Sequence, residues 1–212
     1  KSVLTMKRQF FRFQSTVAKH AITQQKFRES MGCIGNQAMI LTSACDKGLP
    51  HDLFRGVTLS SVTSLSLKPY PLLQFNLQLP SFTSESLHAN QHFAIHLLKP
   101  DAQSVKLARI FSKGAMKHHQ SGEIVPTQPF KGLAENKQYE TYQLGNSDLV
   151  IPLLKNTERI FVCKKKNVFK VGDHEIWVGQ VEDIVVNEQN GTVTGGVLYC
   201  NRGFHVLGGK IE

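Results

Sequence analysis

Between residues 56 and 80 the chain reads GVTLSSVTSLSLKPYPLLQFNLQLP and places Thr58, Ser60, Ser61, Thr63, Ser64 and Ser66 in one short run. Hydroxyls both donate and accept, which suits the carbonyls and ring nitrogens of a neutral heteroaromatic ligand. A polar loop or an edge strand explains the same residues. Directly after it, PSFTSESL sets Ser81, Thr83 and Ser84 where a strand gives way to a helix. Hydroxyls and free backbone N–H groups then converge on one spot, which favours a phosphate or another anion. Ordinary N-capping is the simpler account of that turn. GDHEIWVG, residues 172–179, puts His174 at the mouth of a strand behind a tight turn, with Gly179 as a bulge position inside it.

No nucleophile elbow, P-loop or dinucleotide glycine fingerprint occurs, and no set of side chains suits hydrolysis. If the chain is an enzyme, a cofactor carries the chemistry and no side chain is named as catalytic. Cys33, Cys45, Cys163 and Cys200 are widely separated, without a CxxC pair or a histidine at metal-ligand spacing, so they read as structural thiols in a reducing compartment rather than metal ligands. His118–His119 and Lys164–Lys166 read as solvated surface.

The elements that must position these residues are mostly strands. NQAMILTSA (36–44) is a short apolar run before the turn-like CDKGLP, and RGVTLSSVTSLSL (55–67) reads as a strand running into an irregular segment. From Leu73 to Leu79 alternation is strict, with Leu73, Phe75, Leu77 and Leu79 on one face and Gln74, Asn76 and Gln78 on the other. TSESLHANQHF predicts a short helix capped by Thr83 or Ser84, FAIHLL (93–98) a strand, and DAQSVKLARIFS a helix capped by Asp101 that presents Val105, Ala108 and Phe111. Residues 114–150 predict a long excursion with short helical turns. RIFVCKKK, EIWVGQVEDIVV, GGVLYC and GFHVL return to strands, separated by VGDH and NEQNGT. Without βαβ alternation, this is a mainly β fold with a few helices, an antiparallel barrel.

The chain has 212 residues, enough for one full core, and a net charge of +9. Residues 1–30 hold seven Lys/Arg against one acidic residue; the remainder holds eighteen against fifteen. No apolar run approaches the roughly 20 residues of a membrane helix. The arm MKRQFFRFQSTVAKHAITQQ, basic, rich in Phe and hydroxyls, and acid-free until Glu29, has the composition of a mitochondrial transit peptide, with RFQST (12–16) as a matrix-protease site cut before Ser15. The expectation is a targeting arm over 1–26, a domain over 27–212 and a mitochondrial matrix location; an arm that binds nucleic acid or anionic lipid is the alternative.

In order and spacing, GVTLSSVTSLSLKP, LLQFNLQLPSFTSESL, FAIHLLKPDAQSVKLARIFS, IFVCKKKNVFKVGDHEIWVGQV and GFHVLG resemble the flavin reductase-like domain family, which has the FMN-binding split β-barrel fold. The resemblance runs from about Phe27 to Leu207. It implies a homodimer that binds FMN, or FAD, near the subunit interface and reduces flavin with NADH or NADPH by hydride transfer. It places the isoalloxazine along Thr58, Ser60 and Ser61 with Ser66 and Asn76 close by, the phosphate at Ser81 and Thr83, and the nicotinamide beside His174. Three positions depart from the family pattern. Phe82 stands where Arg or Lys is common, removing a charge-assisted contact of ~1.5–3 kcal/mol. KPYP replaces Pro-Pro, and His96 replaces a common Asn. The departures leave two other readings: a non-catalytic split-barrel scaffold in a mitochondrial protein or RNA–protein assembly held by the arm, and a relative binding another planar ligand such as haem through His92 and His96.

Overall fold

In the computed structural model the described residues are 19–117, 123–187 and 194–211. RFQST, His118–His119 and most of NEQNGT lie outside them. Two units divide the chain. One contains helix α1 over residues 19–32, almost wholly exposed, in which residues 26 and 27, the expected boundary between arm and domain, both fall. In this unit the Asn201 N–H donates to Gly32 O at 2.7 Å, and Cys200 Sγ lies 3.4 Å from Cys33 O. Among the described residues no helix is long and apolar enough to cross a membrane.

The larger unit runs over residues 36–199 and 204–211 and is mainly β. Its strands are β1 (Asn36–Gln37), β2 (Met39–Ser43), β3 (Cys45–Asp46), β4 (Gly56–Leu59), β5 (Thr63–Ser66), β6 (Leu72–Gln78), β7 (His92–Leu98), β8 (Met116–Lys117), β9 (Ile124–Val125), β10 (Tyr139–Gln143), β11 (Leu149–Leu154), β12 (Thr157–Val171) and β13 (His174–Val186), with most of β14 (Leu198–Cys200) and of β15 (Gly203–His205), whose residues Cys200 and Gly203 belong to the smaller unit. Helices α2 (Phe82–Asn90) and α3 (Ala102–Phe111) flank β7 in the chain. Seven strands make one curled antiparallel sheet in the order β4-β2-β7-β12-β13-β6-β5, the half-barrel expected of a split barrel.

Sequence pattern explains the sheet's centre. β7 lies between β2 and β12, and five of its seven residues are buried, so it reads as a continuous apolar run. β6 alternates as expected, Leu73, Phe75 and Leu77 being buried with Trp177, Phe93 and Cys163 in one core cluster. α3 carries the predicted Asp101 cap, whose Oδ1 accepts from the Ser104 N–H at 2.8 Å, a bond worth ~1 kcal/mol. It buries Leu107, Ala108 and Phe111 in a second cluster with Phe54, Phe130 and Tyr139.

Several expectations need correction. The 36–44 run breaks at Ala38, whose N–H leaves the ladder for Val197 O at 2.8 Å. The α2 cap is Ser81, whose Oγ accepts from the Ser84 N–H at 3.1 Å, rather than Thr83 or Ser84. Residues 139–154 form the β10–β11 hairpin, and β11 also pairs with β3, so strands replace the expected helical turns there. The bulge is in β12 at Lys166, opposite Gly179, because Lys165 pairs with Gly179 and Asn167 with Val178. Gly179 answers a different need: a Cβ there would stand 2.5 Å from Phe93 Cζ. Lys165 and Lys166 are also more than solvated charges, lying 5.6 Å from the Trp177 ring centre and 4.7 Å from that of Tyr70.

Candidate functional site

The hydroxyl run reaches a cavity from a strand held close to its neighbours at one glycine. A Cβ on Gly56 would meet Leu41 O and the Phe111 ring, both at 2.7 Å, so β4 packs directly beneath the end of α3. Thr58 then donates its hydroxyl at 2.7 Å to Ala108 O, the carbonyl of α3 that also accepts the capping Ser112 N–H at 3.0 Å. β4 ends at Leu59 and the chain crosses to β6, where Ser61 Oγ accepts from the Asn76 N–H at 2.9 Å and lies 3.5 Å from Asn76 O. β5 pairs with β6 only over residues 72–74, which leaves Asn76 free for this side-chain substitute.

A cavity of about 800 Å³ opens there, a size that accommodates a nucleotide-sized ligand. Thr58, Ser60, Ser61, Asn76, Ser81, Thr83 and His174 all line it. Ser66 does not: its hydroxyl is spent on Lys68 O at 2.9 Å, and the β5 bulge at Leu65 carries it away. Phe82 lines the cavity at the turn, so the departure noted in sequence lies at the site itself. Residues absent from the sequence expectation complete the lining, chiefly Arg55, Gln78, Ser112 and Thr127. Position was the one signal for Arg55, which directly precedes GVTLSS. No acidic residue lines the cavity among the described residues.

The anion turn is braced from behind. Ser84 and Trp177 donate to Glu175 Oε2, the latter at 3.1 Å, and His88 Nε2 lies 3.1 Å from Oε1. Burial works to raise the Glu175 pKa, but these three partners outweigh it and hold the carboxyl below its ordinary range. This cluster ties α2 to β13 and fixes the turn that Ser81 begins. Ser81 Oγ accepts from Ser84, so its own proton remains available to a ligand.

His174 pairs with Gln78 across β13 and β6, at the end of the strand that carries Asn76. Its Nδ1 is 2.8 Å from Asp173 Oδ1, which holds the exposed Asp173 carboxyl below its usual range. Nε2 is the ring nitrogen left for a ligand.

The two histidines considered for haem are employed elsewhere. His96 is fully buried, donating from Nδ1 to Ile40 O at 2.9 Å and accepting the Leu154 N–H at Nε2 at 3.1 Å. Burial lowers its pKa to about 4, with the bond to Ile40 opposing. His92 Nδ1 is 3.1 Å from Asn90 O, and neither residue lines the cavity.

A family model, the flavin reductase like domain, matches residues 31–208. The chain belongs to this family. Flavin reductase relatives include the reductase component of an FADH(2)-dependent resorcinol hydroxylase from Rhizobium sp. (strain MTP-10005), 26% identical over 177 residues, covering 84% of this chain and 83% of that protein. The FMN reductase (NADH) SmoA of Agrobacterium fabrum is 26% identical over 157 residues, 74% of either chain. The solved NADH:FAD oxidoreductase SgcE6 of Streptomyces globisporus superposes with a TM-score of 0.64 at 21% identity, covering 89% of this chain and 90% of that one. That superposition shows the fold, and the family membership agrees with the strand order and the cavity at the Ser-rich run.

Proposed function

We propose that this chain is an NAD(P)H-dependent flavin reductase-like oxidoreductase that binds FMN, or FAD, in the cavity. The observation that carries the reading is the convergence of the Ser-rich run, the Ser81–Thr83 turn and His174 on one cavity that no acidic residue lines among the described residues, in a chain of this family. The cavity fits a flavin nucleotide by volume, by its hydroxyl lining and by the helix N-terminus at one end. Three named relatives reduce or carry flavin with NADH or as reductase components.

A bound flavin supplies the hydride-accepting chemistry. The chain's residues bind and orient. Thr58, its proton committed to Ala108 O, presents an acceptor only, whereas Ser60 offers an uncommitted hydroxyl to the ring edge. Ser61 and Asn76 hold each other and so keep the cavity wall in one register. Ser81 donates to the phosphate while Ser84 and Glu175 keep α2 in place. His174, fixed through Nδ1 by Asp173, would offer Nε2 to the nicotinamide. Such positioning is where the rate gain of a two-ligand reaction originates.

A homodimer is part of this reading. Phe169 and Val171 are about half exposed, and they pair with Ile176 and His174, on the sheet face that carries Asn76 into the cavity. An exposed apolar strip beside a cavity is the kind of surface a second copy covers. The basic, acid-poor arm supports import into the mitochondrial matrix.

The test is an absorbance spectrum of the purified protein, a titration with FMN, and NAD(P)H oxidation with and without added flavin. Saturable FMN binding and flavin-dependent oxidation are expected. Absence of both rules out the oxidoreductase and leaves a split-barrel scaffold.

A further inference from the structure

Resting on the flavin-reductase reading, one residue of the cavity remains unexplained by it. Arg55 lines the cavity half-buried, and the only hydrogen bond of its guanidinium to a described residue runs from Nη1 to Thr127 O at a long 3.4 Å. A guanidinium has five N–H donors and carries its charge throughout the accessible pH range. Partly buried charges are normally paired, yet no acidic residue lines this cavity among the described residues. Arg55 is the one Lys or Arg in that lining among the described residues.

Its position separates it from the turn at α2. Arg55 precedes β4 and is tied to the wall that Ser112 and Thr127 help to form, whereas Ser81 and Thr83 follow β6. The turn has hydroxyls and a helix N-terminus but, with Phe82, no cation. The cavity therefore has two anion-favouring points on different elements, and the charged one is not the expected one.

We propose that Arg55 is an anion-recognition residue that takes a phosphate of a nucleotide bound in this cavity. The ligand chemistry is a phosphate oxygen accepting two guanidinium N–H bonds. It comes either from the flavin 5′-phosphate or from the pyrophosphate of the pyridine dinucleotide. Arg55 restores the charge that Phe82 removes, from a different element of the cavity wall.

The experiment compares the full chain with Arg55→Gln, which keeps a donor for Thr127 O but loses the charge, and Arg55→Lys, which keeps the charge. FMN and riboflavin affinities are read by flavin fluorescence, the KM for NADH by steady-state oxidation, and folding by thermal melting. A flavin-phosphate contact weakens FMN roughly 10- to 100-fold in Arg55→Gln and leaves riboflavin within about twofold. A dinucleotide contact leaves both flavins unchanged and raises the KM for NADH by a similar factor. In either case Arg55→Lys recovers part of the loss. The inference is overturned if a folded Arg55→Gln matches wild type for FMN and NADH, or if riboflavin falls as far as FMN in both variants. Wild type that binds no flavin and oxidises no NADH overturns this inference together with the function on which it rests; wild type that does both, matched by a folded Arg55→Gln, overturns this inference alone.

Discussion

Replacing Ser81 separates two jobs assigned to one hydroxyl. Its Oγ caps α2 by accepting the Ser84 N–H at 3.1 Å, and its proton is left for a phosphate at the helix N-terminus. Ser81→Ala removes both. The lost cap costs ~1 kcal/mol, which in a domain of this size lowers the Tm by about 2–4 °C. Ser81→Asp keeps a good capping acceptor and adds ~0.3–1 kcal/mol of favourable interaction with the helix dipole, so its Tm stays at or above wild type. The same carboxylate faces the incoming phosphate. Two like charges about 4 Å apart near a protein surface repel by several kcal/mol before screening, so FMN affinity falls by at least about tenfold. Riboflavin, which lacks the phosphate, keeps its affinity within about twofold. Thermal melting and fluorescence titration of both flavins with both variants make the assay. Unchanged FMN binding in a folded Ser81→Asp protein refutes the placement of the phosphate at this turn.

Other consequences follow from single contacts. Gly179→Ala drives a Cβ into the Phe93 ring and costs about 1–3 kcal/mol of stability, read as a lower Tm. His96 is depressed to about 4 from 6.5, so the unfolded chain binds the extra proton between those values; its contribution to stability is complete above pH 6.5 and is lost as pH falls towards 4. That loss is about 3 kcal/mol, and His96→Asn flattens the dependence of Tm on pH over this window. His174→Ala raises the KM for NADH roughly 3- to 10-fold while FMN affinity holds; a matching loss of FMN affinity contradicts its assignment to the nicotinamide. Burial pushes the Cys45 thiol up to about 11 and the Cys163 thiol higher still, so a thiol reagent labels exposed Cys33 in the native protein and reaches those two only on unfolding.

What the sequence revealed was local. β6 could be read because its alternation is set by one buried face, and α3 because an Asp cap and apolar residues at helical spacing agree. The α2 cap was ambiguous, since Ser81, Thr83 and Ser84 are all competent; the choice is made by Glu175, ninety-one residues from Ser84, which claims its hydroxyl. β11 was hidden by Pro152, which normally argues against a paired strand, and by partners at residues 139–143 and 45–46 that only the folded chain brings together. Ser66 looked equivalent to Ser60 and Ser61, but a one-residue bulge at Leu65 decides which hydroxyls reach the cavity. Arg55 was invisible as a site residue because its significance lies in what is missing around it among the described residues, an acidic neighbour in the cavity wall.

The most direct test of the account is anaerobic mixing of NADH with the purified protein and stoichiometric FMN, following the flavin absorbance band. The account predicts saturable FMN binding and bleaching far faster than with free FMN, weakened by Ser81→Asp. FMN that binds but bleaches no faster than free flavin, or that does not bind at all, contradicts it.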